Sequence, residues 1–362
     1  MGLIRRLAAA LLLSALPGLA GATDLRIATF NTDLFARGPG LMLRDILEDD
    51  PRPLAVARMI AEAVPDILVL QGVDYDAGAA TLNALAETAT EAGAPDYPHR
   101  FALPPNSGQA TGLDLDGDGR LGGPRDAMGY GRFAGQGGMA VLSRFPIDAD
   151  AATDLSDLLW DDLPGAIPPE PPFPDPETAA QRRVSSTGHW IVPVTVGDEV
   201  LHLMTWSATP PVFDGPEDLN GRRAHDETAL WLRLLDGALA VPAPPAPFVI
   251  LGLGNIDPVD GEGRAEAVNA LLDDPRVQDP APRSAGGMAA ADPEHVGDPA
   301  LDTADLDGPG NLRLSVLLPS ADIAVRDAGV LWPAPDTPQA TDLGPVEDWP
   351  RHRLVWADIT LP

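Results

Sequence analysis

Cysteine is absent from this sequence of 362 residues. The chain therefore has no disulfide bond, no thiolate metal site and no cysteine nucleophile. Its stability must come from a hydrophobic core, and a chain of this length can bury a large one. The length fits a single large domain.

Lysine is absent as well, so arginine supplies all 24 basic residues, against 54 acidic residues and a net charge of −30. Proteins bind nucleic acids largely through cations that neutralise phosphates, so this charge disfavours bulk DNA or RNA as a partner. Adaptation to a saline environment, with arginine replacing lysine, explains the same composition without any role in binding. The charge thus disfavours bulk nucleic acid as a partner and identifies no other partner.

The apolar run near the N-terminus, residues 7–19, is shorter than the roughly 20 residues that a bilayer-spanning helix needs. It follows two arginines and precedes the small-residue pattern AGA at 20–22. A basic region, a short apolar region and such a cleavage pattern predict a signal peptide over residues 1–22. We expect residues 23–362 to be exported, to the periplasm or the extracellular space, with no membrane span.

Hydrophobic periodicity predicts strands and helices that are interleaved along the chain. A Pro-rich segment at 161–178 is interpreted as a surface insertion, because proline cannot donate a hydrogen bond within a sheet. Interleaved elements predict an α/β (α+β) domain with its sheets inside. Predicted strands lie at 25–31, 66–71, 139–143, 189–196, 200–206, 247–252, 312–318, 322–330 and 352–360, and predicted helices at 53–64, 79–92, 222–239 and 265–272.

Several of these segments, taken in order, resemble the endonuclease/exonuclease/phosphatase superfamily, which has the deoxyribonuclease-I-like fold. The segments are RIATFN at 26–31, DILVLQ at 66–71, GMAVLSR at 138–144, FVILG at 248–252 and HRLVW at 352–356. The resemblance implies a two-layer β-sandwich flanked by helices. It also implies hydrolysis of phosphoester bonds with Mg²⁺ or Mn²⁺ as cofactor.

The resemblance assigns roles to three polar residues. Asn31 stands where the family keeps the Asn of its first strand, Asn255 where it keeps the Asn of a Gly-Asp-x-Asn turn, and His352 where it keeps its catalytic His. An anionic phosphoester needs a hard cation to neutralise it and a base to prepare the attacking water, so these positions are candidate catalytic residues. Arg222 is a candidate phosphate ligand, although pairing with nearby acids explains it equally well.

Five positions depart from the residues that the resemblance implies: Gly72 stands in place of a metal-binding Glu, Ser207 of a His, Leu253 and Ser315 of an Asp each, and Arg351 of the Asp before the catalytic His. A glycine and a leucine cannot hold a metal through their side chains. An arginine next to His352 disfavours the imidazolium by charge repulsion. These departures predict that the phosphoesterase activity is lost or strongly reduced.

Two aspartates offer a way to rebuild the site. Residues two apart on a strand share a face, so Asp74 follows Gly72 and Asp257 follows Asn255 on the same side. If they bind a divalent metal, the protein is an active phosphoesterase for a small or non-polymeric phosphoester. Turn and capping roles are common for Asp and explain both residues without a metal.

The segment 114–119, DLDGDG, matches the front of a calcium-binding loop. Asp114, Asp116 and Asp118 alternate and direct carboxylates inward, while the twelfth position is Arg125 in place of the usual Glu. A Ca²⁺ ion here would order the loop and support a third hypothesis, an extracellular binding module for an unidentified protein ligand. A glycine-rich acidic loop with no ion explains the pattern as well.

Overall fold

A computed structural model describes residues 23–362. The predicted signal peptide, residues 1–22, lies outside the described residues. In the described part of the chain, no helix is both long enough and apolar enough to cross a bilayer.

The strands between residues 23 and 362 are numbered in chain order. They are β1 (Asp24–Asn31), β2 (Ile67–Val73), β3 (His99–Phe101), β4 (Gly138–Ser143), β5 (Thr153–Asp154), β6 (Gly188–Val196), β7 (Glu199–Ser207), β8 (Phe248–Leu253), β9 (Ala304–Leu306), β10 (Gly310–Leu312), β11 (Ser315–Pro319), β12 (Ala324–Val330) and β13 (Val355–Thr360).

The α-helices of the same part of the chain are numbered in the same way. They are α1 (Leu41–Leu47), α2 (Pro51–Ala63), α3 (Ala80–Glu91), α4 (Pro176–Ala179), α5 (Leu219–Leu235), α6 (Glu266–Leu272), α7 (Ala285–Ala290) and α8 (Pro338–Leu343).

Two mixed sheets form the framework. The first has the order β12-β13-β1-β2-β4-β3, and the second has the order β11-β8-β7-β6-β5. β1 and β2 run parallel in the first sheet, as do β7 and β8 in the second. A separate hairpin is formed by β9 and β10. Since the carboxyl ends of parallel neighbours meet at one edge, the ends of these four strands are where a site is expected.

The two sheets face each other across one core. Along β8, Val249 and Leu251 join the hydrophobic cluster that includes Leu68 and Val141 of the first sheet, whereas Ile250 joins a different cluster with Trp231 of α5. This alternation is the period of two expected when both faces of a strand are covered. The two-layer sandwich predicted from the sequence is thus confirmed.

Helices cover the outer faces of both sheets. Val56 and Met59 of α2, together with Leu85 of α3, are fully buried in the cluster of the first sheet. The α2 helix starts where its sequence favours a start, because Asp50 caps it by accepting from the Arg52 amide (3.1 Å) and Pro51 occupies its first position. On the second sheet, α5 and α6 contribute to the other large cluster.

Some predicted boundaries were wrong. The strand predicted at 312–318 is divided, because β10 ends at Leu312 and β11 starts at Ser315. The strand predicted at 352–360 starts at Val355. The predicted Pro-rich insertion contains the short helix α4 at its end. The short elements α1, β3 and α7 have too little periodicity to be predicted from sequence.

Candidate active site

Three of the five replaced family positions lie side by side at one edge of the second sheet. Ser207 ends β7 and Leu253 ends β8, and the two residues are paired across these strands. Ser315 at the start of β11 pairs with Leu253 from the other side. In the first sheet, Asn31 ends β1 opposite Gln71. We refer to the region at the ends of these strands as the cleft.

The position of the family's metal-binding Glu has a left-handed backbone, which favours glycine. Gly72 has a φ of +73°, and a Cβ built there would lie 2.7 Å from Oδ1 of Asn31. The pairing of β2 with β4 shifts register between Gln71 and Val73, which turns the chain at this point. A side chain at residue 72 would be strained by this backbone and would have to displace the side chain of Asn31.

Asp33 is the carboxylate that the structure places beside the cleft. It is buried and forms a bidentate ion pair with Arg351, with both N–O distances 2.7 Å, and Arg52 approaches it at 3.7 Å. Burial raises the pKa of Asp33, but the hydrogen bond and charge of Arg351 outweigh burial and lower it overall. No sequence motif marks Asp33, because its partners lie far away in the chain.

His352 is buried, and burial is the main cause that lowers its pKa to about 4. The negative charge of Asp33 opposes this shift, whereas the positive charges of Arg351 and Arg353 add to it. Its Nδ1 atom is buried and forms no hydrogen bond with any residue from 23 to 362. A general-base histidine normally has an orienting carboxylate at this atom. The residue before His352 is Arg351, and its guanidinium forms an ion pair with Asp33.

Asn255 and Asp257 are used in the turn that follows β8. The Asn255 side-chain amide donates to the Ala208 carbonyl (2.6 Å). Both carboxylate oxygens of Asp257 accept backbone hydrogen bonds, Oδ1 from the amides of Val259 and Asp260 and Oδ2 from the amide of Arg313. The turn role that the sequence allowed for Asp257 is therefore present in the structure.

Asp74 has one free oxygen. Its Oδ1 accepts from the Gly137 amide (2.9 Å), whereas the buried Oδ2 forms no hydrogen bond with the part of the chain that the structure describes. Burial is the main cause that raises the pKa of Asp74 to about 6. The cavity beside it measures about 10 Å³, which is no more than the space of one water molecule.

Aliphatic side chains fill the place of the family's acids on the second sheet. Leu253 is buried in a small cluster with Ala304, Leu312 and Leu314. Ser315 is also buried, and its hydroxyl forms no hydrogen bond within residues 23–362. This part of the cleft therefore offers no carboxylate to a cation.

The chain is similar to a known protein family in sequence. The sequence profile described as the Endonuclease/Exonuclease/phosphatase family matches residues 28–349. The chain belongs to this family. Members of the family are typically dependent on a divalent metal. No curated protein matches the chain in sequence.

Two solved structures described as endonuclease/exonuclease/phosphatase proteins share the fold at low sequence identity. An endonuclease/exonuclease/phosphatase from Beutenbergia cavernae is 19% identical, with a TM-score of 0.51, 93% of this chain and 72% of that chain covered. A family protein from Bacteroides thetaiotaomicron is 11% identical, with a TM-score of 0.51 and coverages of 94% and 99%. Staphylococcus aureus beta toxin, solved with bound magnesium ions, is 12% identical, with a TM-score of 0.47 and coverages of 93% and 99%.

The residues of this cleft do not fit the family's metal. Mg²⁺ and Mn²⁺ prefer compact sets of carboxylate oxygens. Asp33 is engaged by two arginines, and Asp257 by three backbone amides. Neither Asp74 nor Asp257 belongs to a group, among residues 23–362, of three Asp, Glu or His ligand atoms within 4.8 Å of one another.

The predicted calcium loop is the group that meets this 4.8 Å criterion, through Asp114, Asp116 and Asp118. The loop is internally bonded, since the Asp118 amide donates to both other carboxylates (3.1 and 3.2 Å). Asp126, the residue after Arg125, accepts from the amides of Leu115 and Gly123 (3.0 and 2.9 Å). The three alternating aspartates thus offer oxygens to a cation without any contribution from Asp126.

Arg222 faces the Pro-rich segment. Its Nη1 donates to the Ile167 carbonyl (3.2 Å), and its Nε lies 3.9 Å from Asp218. The adjacent Arg223 is fully turned inward and donates to the carbonyls of four residues, which lie in two loops. These carbonyls belong to Met128, Arg183, Val184 and Ser185.

A buried carboxylate one helical turn beyond Arg223 supports the edge of the cleft. Glu227 accepts hydrogen bonds from the amide and hydroxyl of Ser186 (both 2.6 Å) and from the Thr209 amide (2.7 Å). Burial raises the pKa of Glu227 to about 7, although the charge of Arg223 opposes this. The spacing of four residues between Arg223 and Glu227 places both side chains on one face of α5, and it was the sequence signal for this pair. An exposed ion pair has the same spacing, so the sequence could not show that the pair is buried.

Proposed function

We propose that this protein is an exported family member whose metal-dependent phosphoesterase activity is lost or strongly reduced, and which acts by binding a ligand. The left-handed backbone of Gly72, where the family has its metal-binding Glu, carries this proposal. The aliphatic cluster around Leu253 and the Asp33–Arg351 pair support it. Together they remove metal ligands from both sheets and the orienting acid from His352.

Hydrolysis of bis-p-nitrophenyl phosphate and p-nitrophenyl phosphate tests the proposal. The protein would be assayed with Mg²⁺, Mn²⁺ or Ca²⁺ and with a chelator, beside His352→Ala and a matched histidine control outside the cleft, His99→Ala. We expect no turnover above that of the His352→Ala variant with either substrate. Metal-dependent turnover that is lost in His352→Ala and retained in His99→Ala would refute the proposed loss of activity.

The second candidate is an active phosphoesterase for a small phosphoester, with a divalent metal at a rebuilt site. The unpartnered, buried Oδ2 of Asp74 favours it, because a metal ligand needs a free oxygen. Here Asp74→Asn should abolish turnover, whereas Asp76→Asn, two residues away, should retain it. Equal turnover in wild type and Asp74→Asn would eliminate this candidate.

Export and calcium binding complete the proposal. We propose cleavage after residue 22, which N-terminal sequencing of protein from the periplasm or medium would test; an N-terminus at residue 1 would contradict it. The negative charge favours a small phosphoester or a protein ligand over bulk nucleic acid. Ca²⁺ bound by Asp114, Asp116 and Asp118 would order the loop that borders the Pro-rich segment, where a Cβ on Gly117 would lie 2.9 Å from Cβ of Pro174.

A further inference from the structure

We infer that His295, Asp260 and Asp302 form a binding site for one divalent transition metal of the Zn²⁺ type. The three residues lie on the segment between β8 and β9, apart from the five replaced family positions. The site is independent of the proposed loss of phosphoesterase activity, because it uses none of the residues of the cleft.

An unbonded imidazole nitrogen between two carboxylates carries the inference. The His295 side chain is 7% exposed, and its buried Nε2 forms no hydrogen bond within the described chain. This atom lies 3.5 Å from Oδ2 of Asp260 and 3.4 Å from Oδ2 of Asp302. Hydrogen bonds between nitrogen and oxygen are shorter, about 2.7–3.2 Å. Two ligands bonded at about 2.0–2.1 Å to a tetrahedral Zn²⁺ lie about 3.3 Å apart. The two separations from Nε2 are close to this value, whereas the two carboxylate oxygens lie more than 4.8 Å from each other.

The surrounding charge favours a cation. Burial, together with the negative charges of Asp257 and Asp260, raises the pKa of Asp302 to about 7, while His295 and a hydrogen bond from Asn311 act against this. Several carboxylates thus share a buried region with one imidazole. A dication would neutralise them and would accept the lone pair of a neutral imidazole.

The ligands are held by further hydrogen bonds. The Asp260 carboxylate accepts from the amides of Val296 and Gly297 (3.1 and 2.8 Å), and Oδ2 of Asp302 accepts from the Asn311 side chain (3.0 Å). Such outer contacts orient metal ligands in known sites. A Cβ on Gly297 would lie 2.8 Å from Oδ2 of Asp260 and 3.5 Å from Nε2 of His295, so glycine keeps this space open.

The metal would draw the three ligands together. Among the described residues they do not meet the 4.8 Å criterion that the group at 114–118 satisfies, so a carboxylate must rotate inward on binding. One imidazole with two carboxylates suits Zn²⁺ better than Mg²⁺ or Ca²⁺, which prefer oxygen ligands alone. A water molecule would complete a tetrahedral shell.

Metal binding at this site would also affect the cleft, through the backbone that follows Asp302. Thr303 follows Asp302, and its hydroxyl accepts from the amides of Leu314 and Ser315 (both 2.9 Å). The next residue, Ala304, forms a bridge with His352. A metal at Asp302 would therefore stabilise the backbone that carries His352, and the protein as a whole by mass action.

Zinc titration of untagged protein tests the inference. Metal-stripped protein would be titrated with Zn²⁺ by calorimetry in excess Ca²⁺, which occupies the loop at 114–118. We expect one Zn²⁺ per chain, an affinity lowered roughly 100-fold or more in His295→Gln and Asp302→Asn, and no change in His99→Gln. Failure of the wild type to bind, or unchanged affinity in both site variants, would overturn the inference.

X-ray absorption of the wild-type complex decides the outcome if a variant fails to fold. We expect a shell of nitrogen and oxygen with the scattering of one imidazole. A shell with oxygen alone, or with two imidazoles, would overturn the inference. Both experiments read metal binding and not hydrolysis, so an active enzyme would refute the proposed function without touching this site.

Discussion

The guanidinium of Arg351 donates two parallel hydrogen bonds to the carboxylate of Asp33, from Nε to Oδ2 and from Nη2 to Oδ1, each 2.7 Å long. The two residues are 318 positions apart in the chain. The family keeps an Asp before its catalytic His, whereas this chain has an arginine there that pairs with Asp33. The pair ties the loop before β13 to the end of β1, and no carboxylate of the described residues forms a hydrogen bond with Nδ1 of His352.

Asp33→Asn should destabilise the protein at pH 7. Breaking a buried ion pair costs about 3–5 kcal/mol, and since Arg351 is 52% exposed we expect about 1–3 kcal/mol. The folded state lowers the pKa of Asp33 below its ordinary 3.8, so this stabilisation is complete above about pH 4 and is lost as pH falls through the folded pKa. Urea unfolding at pH 7 and pH 3 measures it.

A matched control for this prediction is Asp45→Asn, which removes the exposed pair with Arg44 and should change stability little. A destabilisation of Asp33→Asn that is as large at pH 3 as at pH 7 would show that the ion pair is not its cause.

Gly72→Glu, which restores the family residue, should not restore hydrolysis. The left-handed backbone and the 2.7 Å approach of a Cβ to Asn31 should cost about 1–3 kcal/mol of stability. Gly112→Glu is the control, because Gly112 has a similar φ of +76° with nothing in the described chain within 4 Å of its Cβ. It should lose about 1 kcal/mol. Metal-dependent turnover by Gly72→Glu would contradict this.

Asp74→Asn should remove a pH dependence of stability between about pH 4 and pH 6. The folded state raises the pKa of this acid from 3.8 to about 6, so it binds a proton more tightly than the unfolded state does. Wild type should therefore lose up to about 3 kcal/mol as pH rises through this window, a loss that Asn cannot show. Denaturant unfolding from pH 4 to pH 7 gives the difference between the two proteins, and a constant difference would argue against the raised pKa.

Ca²⁺ should raise the melting temperature of wild type and not of Asp116→Asn. Ligand at about 100 times its Kd adds about 2.7 kcal/mol of stability. Asp116 belongs to the acidic group at 114–118, and its pKa is raised by burial and by the neighbouring carboxylates, which a bound cation would offset. Asp161→Asn, an exposed acid outside the loop, serves as control. An equal rise in both variants would place the Ca²⁺ elsewhere.

Much of the framework was open to prediction. The apolar run at 66–71 became β2, which is buried at every position, because a strand covered on both faces needs apolar residues throughout. The ordered segments with family resemblance predicted the sandwich, which the structure confirmed; Asn31 ends β1, and Asn255 lies two residues after the end of β8. The role of each functional side chain was less accessible.

The sequence by itself determined most of the longer strands, the fold and the family, because these depend on local periodicity and on ordered motifs. Only the tertiary structure decided the partners: Asp33 with Arg351, Asp257 with backbone amides, and His295 between two aspartates. An aspartate in a strongly acidic chain has the same local sequence pattern whether it caps a turn, pairs with an arginine or binds a metal. The path of the chain brings distant groups within hydrogen-bonding distance, and that proximity sets which of these roles each acid has.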